Sequence, residues 1–221
     1  MSDLTVSYAV PYVCQYASPD RVRAFVYGEQ PLESDPHWAA YGAASPEEYA
    51  HWARRSCGVV CVKMAVEALS RAPSRSVMAW VQAGLAIDGY LAELRPERPD
   101  QPVEKGWKHA ALARLIRDQG LEARTATDMG LDDLAAHIRA DRLVIASVSS
   151  ELGEVDTPIT RRSGHLIVVL GVAMDRQGMI SHVIAHNPSG RVHDLQAHAR
   201  LPADRFMQGF SGRGIVAAHS L

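Results

Sequence analysis

Cys57 and Gly58 stand together where the spacing predicts a helix to begin, over residues 57–71. The unpaired N–H groups of a helix N-terminus place about half a positive charge beside such a sulfur, which favours the nucleophilic thiolate. Gly58 leaves its own N–H unshielded by a side chain and suited to donate to an oxyanion. The plain alternative is a packing cysteine at a helix start. His165 follows Ser163-Gly164 at the mouth of the most apolar strand in the chain, where its imidazole can face a cleft as a general base or simply be a hydrogen-bonded edge histidine. Asn187 ends the next strand, in His186-Asn187-Pro188-Ser189-Gly190. If 164–172 and 180–187 pair as a hairpin, Asn187 lies near His165 and can accept the Nδ1–H bond that fixes its tautomer; a turn-forming Asn before Pro is the alternative. Gln15, in Val13-Cys14-Gln15-Tyr16, has an amide able to complete an oxyanion hole, although surface glutamines are common.

The elements that must position these groups fall into two halves. Thr5 to Tyr16 reads as an extended opening strand with Pro11 at an edge. From 18 to 46 the periodicity dissolves around several Pro and Gly residues, leaving a long excursion that carries Trp38. Ser45-Pro46-Glu47-Glu48 is a helix start that leads through His51 and Trp52. Val59, Val60, Met64, Val66 and Leu69 then recur at helical spacing. Residues 76–94 read as mostly helical, 95–105 as a polar loop, and 107–119 as an amphipathic helix capped by Gly120. The second half changes period: a short helix at 131–140, then strands at 143–149, 164–172, 180–186 and 214–219. Helices first and an antiparallel sheet after them predict an α+β fold with the two lobes packed face to face.

Composition narrows the function. With 23 Lys+Arg against 25 Asp+Glu the chain has no basic footprint for nucleic acid. Its apolar runs are strand-sized, well short of the roughly 20 residues that span a membrane. Met1-Ser2-Asp3 lacks the start of a secretory signal, so a soluble, cytoplasmic protein is expected. Three cysteines are too few and too odd for a disulfide scaffold. Cys61 lies one turn beyond Cys57 on the same face; C-x3-C on one helix fits neither a zinc knuckle nor a redox motif, so core packing is expected there and at Cys14. No metal and no cofactor are expected, and neither glycine-rich phosphate motif occurs. Arg161 and Arg162, beside His165, are either a solvated loop pair or a contact for a substrate carboxylate.

The order Gln15, Cys57 at a helix start, His165 at a strand start and Asn187 at the end of the next strand is that of papain-like cysteine enzymes. The blocks VPYVCQY, SCGVVCVKMAVEAL, GWKHAALARLIRDQGLEA, SGHLIVVLGV and AHNPSG, spread over residues 8–190, resemble successive blocks of the peptidase C39-like family. This resemblance implies one domain over 1–221 with a papain-like cysteine peptidase fold, a helical lobe packed on an antiparallel β-sheet. It implies Cys57 as nucleophile, His165 as base, Asn187 as orienter and Gln15 as oxyanion donor, acting on a peptide or acyl substrate. Gly58, Gly164, Trp38 and Trp52 are the expected substrate contacts. The chain departs from many relatives in carrying Asn rather than Asp before Pro188. Its 18–46 excursion, larger than a minimal domain needs, is expected to face the substrate. Cleavage of a peptide or isopeptide amide is the leading reading. Acyl transfer through the same thioester, and a non-catalytic peptide-binding module, are its rivals.

Overall fold

The computed structural model describes residues 2–95 and 98–220, and the side chains among them other than those of 94–102. The chain opens with β1 (Ser2–Thr5), continues as an extended run, and passes through short 3-10 turns and α1 (Val22–Tyr27). Then come α2 (Pro46–Ala53), α3 (Cys57–Ser70) and α4 (Val77–Leu85), a strand pair β2 (Tyr90–Arg95) and β3 (Arg98–Trp107), and α5 (His109–Arg117). The second half is β4 (Glu122–Ala126), α6 (Leu131–Arg139), β5 (Leu143–Ser149), β6 (Gly164–Met174), β7 (Ile180–His186), β8 (Ala199–Pro202), α7 (Ala203–Gly209) and β9 (Phe210–Ala218). The large sheet runs β4-β9-β5-β6-β7-β8, every described pairing in it antiparallel. β1 pairs with the far half of β6, beyond the reach of β5.

Helix α3 is apolar nearly all round, from Gly58 and Val59 to Leu69, and packs against β6, α4 and α5. Its four valines are indifferent helix formers; burial in the core, not propensity, holds them helical. β5 is buried at every position and β6 at all but its two ends, so both faces of these strands are covered, as their unbroken apolar runs predict. Ser45 caps α2 by accepting from the Glu48 N–H at 3.2 Å, with Pro46 in the first turn, as its sequence predicts. Among the described residues, no helix is long and apolar enough to cross a membrane.

Three expectations change. The helix expected over 76–94 stops at Leu85, and 95–105 is not a loop: β2 and β3 form a separate two-stranded sheet with Tyr90 opposite Trp107 and Leu91 opposite Gly106. Pro96 and Glu97, within that stretch, lie outside the described residues. Of the opening strand expected over 5–16, only Thr5 is in a strand, as the last residue of β1; the rest is irregular and tied to the sheet by Val6 N to Leu170 O (3.1 Å) and Gln15 N to Pro188 O (2.9 Å). β4, β8 and α7 are short elements that periodicity alone does not reveal.

The 18–46 stretch is folded tightly against the helical lobe. Asp35 sits buried at its centre, accepting from Ser18 N (3.2 Å) and Oγ (2.6 Å), His37 N (3.0 Å) and the Tyr49 hydroxyl. These hydrogen bonds outweigh desolvation and hold its carboxyl below its ordinary pKa.

Candidate active site

Cys57 begins α3 and is partly exposed, whereas Cys14 and Cys61 are buried. Burial of the Cys57 sulfur pushes its thiol pKa up; backbone N–H groups of Leu166, Gly58 and Cys57 itself pull the other way. Burial is the largest of these effects, and the thiol pKa ends above its ordinary value, against the direction that a helix N-terminus alone predicts. The contact with Leu166 also fixes distance across the lobes, because Leu166 directly follows His165 on β6. Cys61, one turn along, donates its thiol to the Leu166 carbonyl at 3.4 Å and is pushed well up by burial and by Cys57. One residue of β6 therefore engages both sulfurs, through its N–H and its carbonyl. Cys14 donates to the Pro188 carbonyl at 3.2 Å, and burial raises it to about 11.

Gly164 introduces β6 with φ +104, a conformation that side chains disfavour, and it lies on the cleft wall. His165 follows, 5% exposed. Its Nε2 lies 2.9 Å from Asn187 Oδ1, and that oxygen also accepts the Ser189 N–H at 3.1 Å. An acceptor on Nε2 requires the proton to be there, with the Ser189 hydroxyl as a second neighbour at 3.2 Å. Nδ1, the nitrogen expected to meet Asn187, is instead the one left with a free lone pair. Desolvation lowers the imidazole pKa to about 4 despite the Asn187 hydrogen bond, and Arg191 and Arg161 add to the fall. His165 is thus neutral at pH 7.

The hairpin of β6 and β7 brings Asn187 to His165, as expected, but the N-terminal run locks it there. Tyr12 donates its hydroxyl to the Asn187 carbonyl at 3.2 Å, and Gln15 N donates to the Pro188 carbonyl at 2.9 Å. Gln15 itself is buried, and its Nε2 donates to Ala53 O at the end of α2 at 3.0 Å. That bond uses one of the two amide hydrogens and leaves one for a further acceptor.

Cys57, Gly164 and His165 line one cleft of about 820 Å³ between the lobes. A cysteine at the start of a helix thus shares a cleft with a histidine on the sheet whose far nitrogen is held by an asparagine, the juxtaposition that the order of these residues in the sequence predicts. The chain is a helical lobe packed on an antiparallel β-sheet, with this cleft between them. No family model and no curated protein matches the chain. Among solved structures it is similar to a Bacillus anthracis protein assigned to the C39-like peptidases, at 16% identity and TM-score 0.49, covering 75% of this chain and 90% of that one. It is also similar to a double-glycine motif protease from an AMS/PCAT transporter, solved with its leader peptide, at 14% identity and TM-score 0.38 over 75% and 85% of the two chains.

The walls of this cleft are not all where they were expected. No residue of 18–46, Trp38 included, lines it. Trp52 stands behind the wall, edge-on to Tyr90 (5.5 Å between centroids) and tilted against Trp107 (6.2 Å). Gly58 is buried under Trp107 and Leu112 and does not reach the cleft surface. The wall over Cys57 is instead the β2–β3 hairpin, through Tyr90, Glu104, Lys105, Gly106 and Trp107. Trp107 anchors it: the indole N–H donates to the Arg55 carbonyl at 2.7 Å, and the ring lies against Gly58 and Gly84. The only sequence signal for this wall was the pair of glycines, 89 and 106, that bracket the stretch.

Proposed function

We propose that the chain is a cysteine peptidase or amidohydrolase that cleaves a peptide or isopeptide amide through a thioester on Cys57. The observation that carries this reading is the shared cleft of Cys57 and His165, with Asn187 on the remote nitrogen of the imidazole. Burial disfavours both ions, so the reaction starts from a neutral thiol and a neutral imidazole. His165 Nδ1 takes the thiol proton as the sulfur attacks the carbonyl carbon. The oxyanion formed is held by the Cys57 N–H and the uncommitted Nε2 hydrogen of Gln15. Collapse breaks the C–N bond, His165 returns the proton to the departing amine, and water, deprotonated by the same nitrogen, releases the acid and restores the thiol.

The test is intact-mass analysis of the protein incubated with a peptide pool and quenched in acid. An acyl adduct on Cys57, discharged by hydroxylamine and missing from Cys57→Ala, is expected. Peptide turnover by Cys57→Ala, or an adduct confined to Cys61, overturns the assignment.

A further inference from the structure

The charge of the cleft is unlike that of the chain. Over the whole sequence acids slightly outnumber Lys and Arg, 25 to 23. The cleft is lined by five cationic residues, Arg54, Arg55, Lys105, Arg161 and Arg213, against a single carboxylate, Glu104. Two of the five are neutralised locally: Arg55 by Glu104 and Lys105 by Glu93, both at 3.2 Å. Arg54, Arg161 and Arg213 have no carboxylate partner among the described residues.

Two of these three reach the cleft from different elements, the loop before β6 and β9. Arg161 sits on the loop that leads into His165 and is tied to Ser150 Oγ at 2.8 Å. Glu151, on the same loop, accepts from Thr160 N (2.7 Å), Thr160 Oγ1 (2.5 Å) and Ser149 Oγ (2.7 Å), which brace the loop; it feels the charge of Arg161 without forming an ion pair with it, and Arg161 lines the cleft. Arg213 projects from β9 beside His109, whose imidazole burial and Arg213 both push towards the neutral form. A cleft lined by one sign of charge concentrates the opposite charge far better than the same residues scattered over a surface.

We infer that the cleft selects a carboxylate-bearing acyl substrate, an acidic peptide, whose charges Arg161 and Arg213 meet within the cleft that holds Cys57. This rests on Cys57 being the nucleophile, and its test separates the two. Iodoacetate and iodoacetamide are nearly the same size and differ in charge, so the ratio of their alkylation rates at Cys57, set against that ratio for N-acetylcysteine, reads the charge of the cleft. The expected ratio exceeds the reference by about tenfold or more, and it falls towards the reference at high salt. It falls likewise in the double variant Arg161→Gln/Arg213→Gln. Pools of peptides differing only in Asp for Asn are expected to be cleaved in the same order, acidic first.

A wild-type ratio equal to the reference overturns the inference and leaves the nucleophile standing. So does a ratio indifferent to both salt and the double substitution. Equal cleavage of the two peptide pools also overturns it. Labelling of Cys57 by neither reagent overturns the nucleophile and the inference together. The salt series on the unaltered protein decides the matter even if the double variant does not fold.

Discussion

His165 and Asn187 meet through Nε2 and Oδ1 at 2.9 Å, which turns Nδ1, not Nε2, into the nitrogen available to the thiol. The amide oxygen is itself aimed by the Ser189 N–H, so the tautomer of the base is set two residues beyond the asparagine. Replacing Asn187 with Ala removes the orienting acceptor from a buried imidazole. Activity is expected to fall about ten- to hundredfold, the rate equivalent of one buried hydrogen bond. Asn187→Asp keeps the acceptor and adds a negative charge, which raises the His165 pKa. The acid limb of its kcat/KM profile should move to higher pH than in the unaltered protein, whereas a purely structural role for Asn187 would leave that limb in place.

The two cysteines on α3 should separate cleanly. Cys57→Ala is expected to abolish turnover with the melting temperature nearly unchanged. Cys61→Ser keeps a donor for the Leu166 carbonyl and should retain most activity, while losing some stability because a hydroxyl is costlier to bury than a thiol. A loss at 61 as complete as at 57, in a protein that still melts cooperatively, would make Cys61 a chemical group.

A neutral resting pair has a signature in alkylation. The Cys57 thiol is raised by burial, so its reaction with iodoacetamide should keep climbing through pH 9, as the thiolate fraction grows. A resting thiolate–imidazolium pair would instead react at a constant rate from mildly acidic pH upward. Stopped-time mass spectrometry of the Cys57 peptide distinguishes the two.

Acid should destabilise the fold through two buried histidines. His165 and His186 are both buried and held at about 4, against about 6.5 in the unfolded chain. Both His186 nitrogens are taken, Nε2 at 2.9 Å from Val10 O and Nδ1 accepting from His198 N at 3.0 Å. Below pH 6.5 the unfolded chain binds protons that the folded chain refuses, so stability is complete above that pH and declines towards pH 4. Each histidine contributes on the order of 3 kcal/mol to that loss. Urea midpoints measured from pH 7.5 down to pH 4.5 should fall continuously, and a flat series would contradict the buried neutral assignment.

Gly84 sits inside α4, where it weakens the helix, and Trp107 is the reason it is there. A Cβ at 84 would lie 2.3 Å from Trp107 Cζ3, and one at 58 would lie 3.0 Å from Trp107 Cδ1. Gly84→Ala, a helix-favouring change in isolation, is expected to destabilise by about 1–3 kcal/mol through overpacking. It should also lower activity by shifting the hairpin over Cys57, detectable as altered tryptophan fluorescence.

Much of this was legible in the chain. The unbroken apolar run 164–172 and the helical spacing after Cys57 are local signals, and they correctly placed β6 and α3, the two elements that carry the thiol and the imidazole. The two strands read at 164–172 and 180–187 do pair as the hairpin that returns Asn187 to His165. Residue type and order were therefore enough for the lobes, the strand pair and the residues worth testing. What they could not decide depends on contacts distant in sequence. The cleft wall is β2–β3 because Trp107 packs on glycines in two other helices, and the 18–46 stretch folds away because Asp35 gathers its donors inward. The pKa shifts of Cys57 and His165 are likewise tertiary quantities: the helix N-terminus favours a thiolate, but desolvation by burial is the larger effect, and only packing sets it.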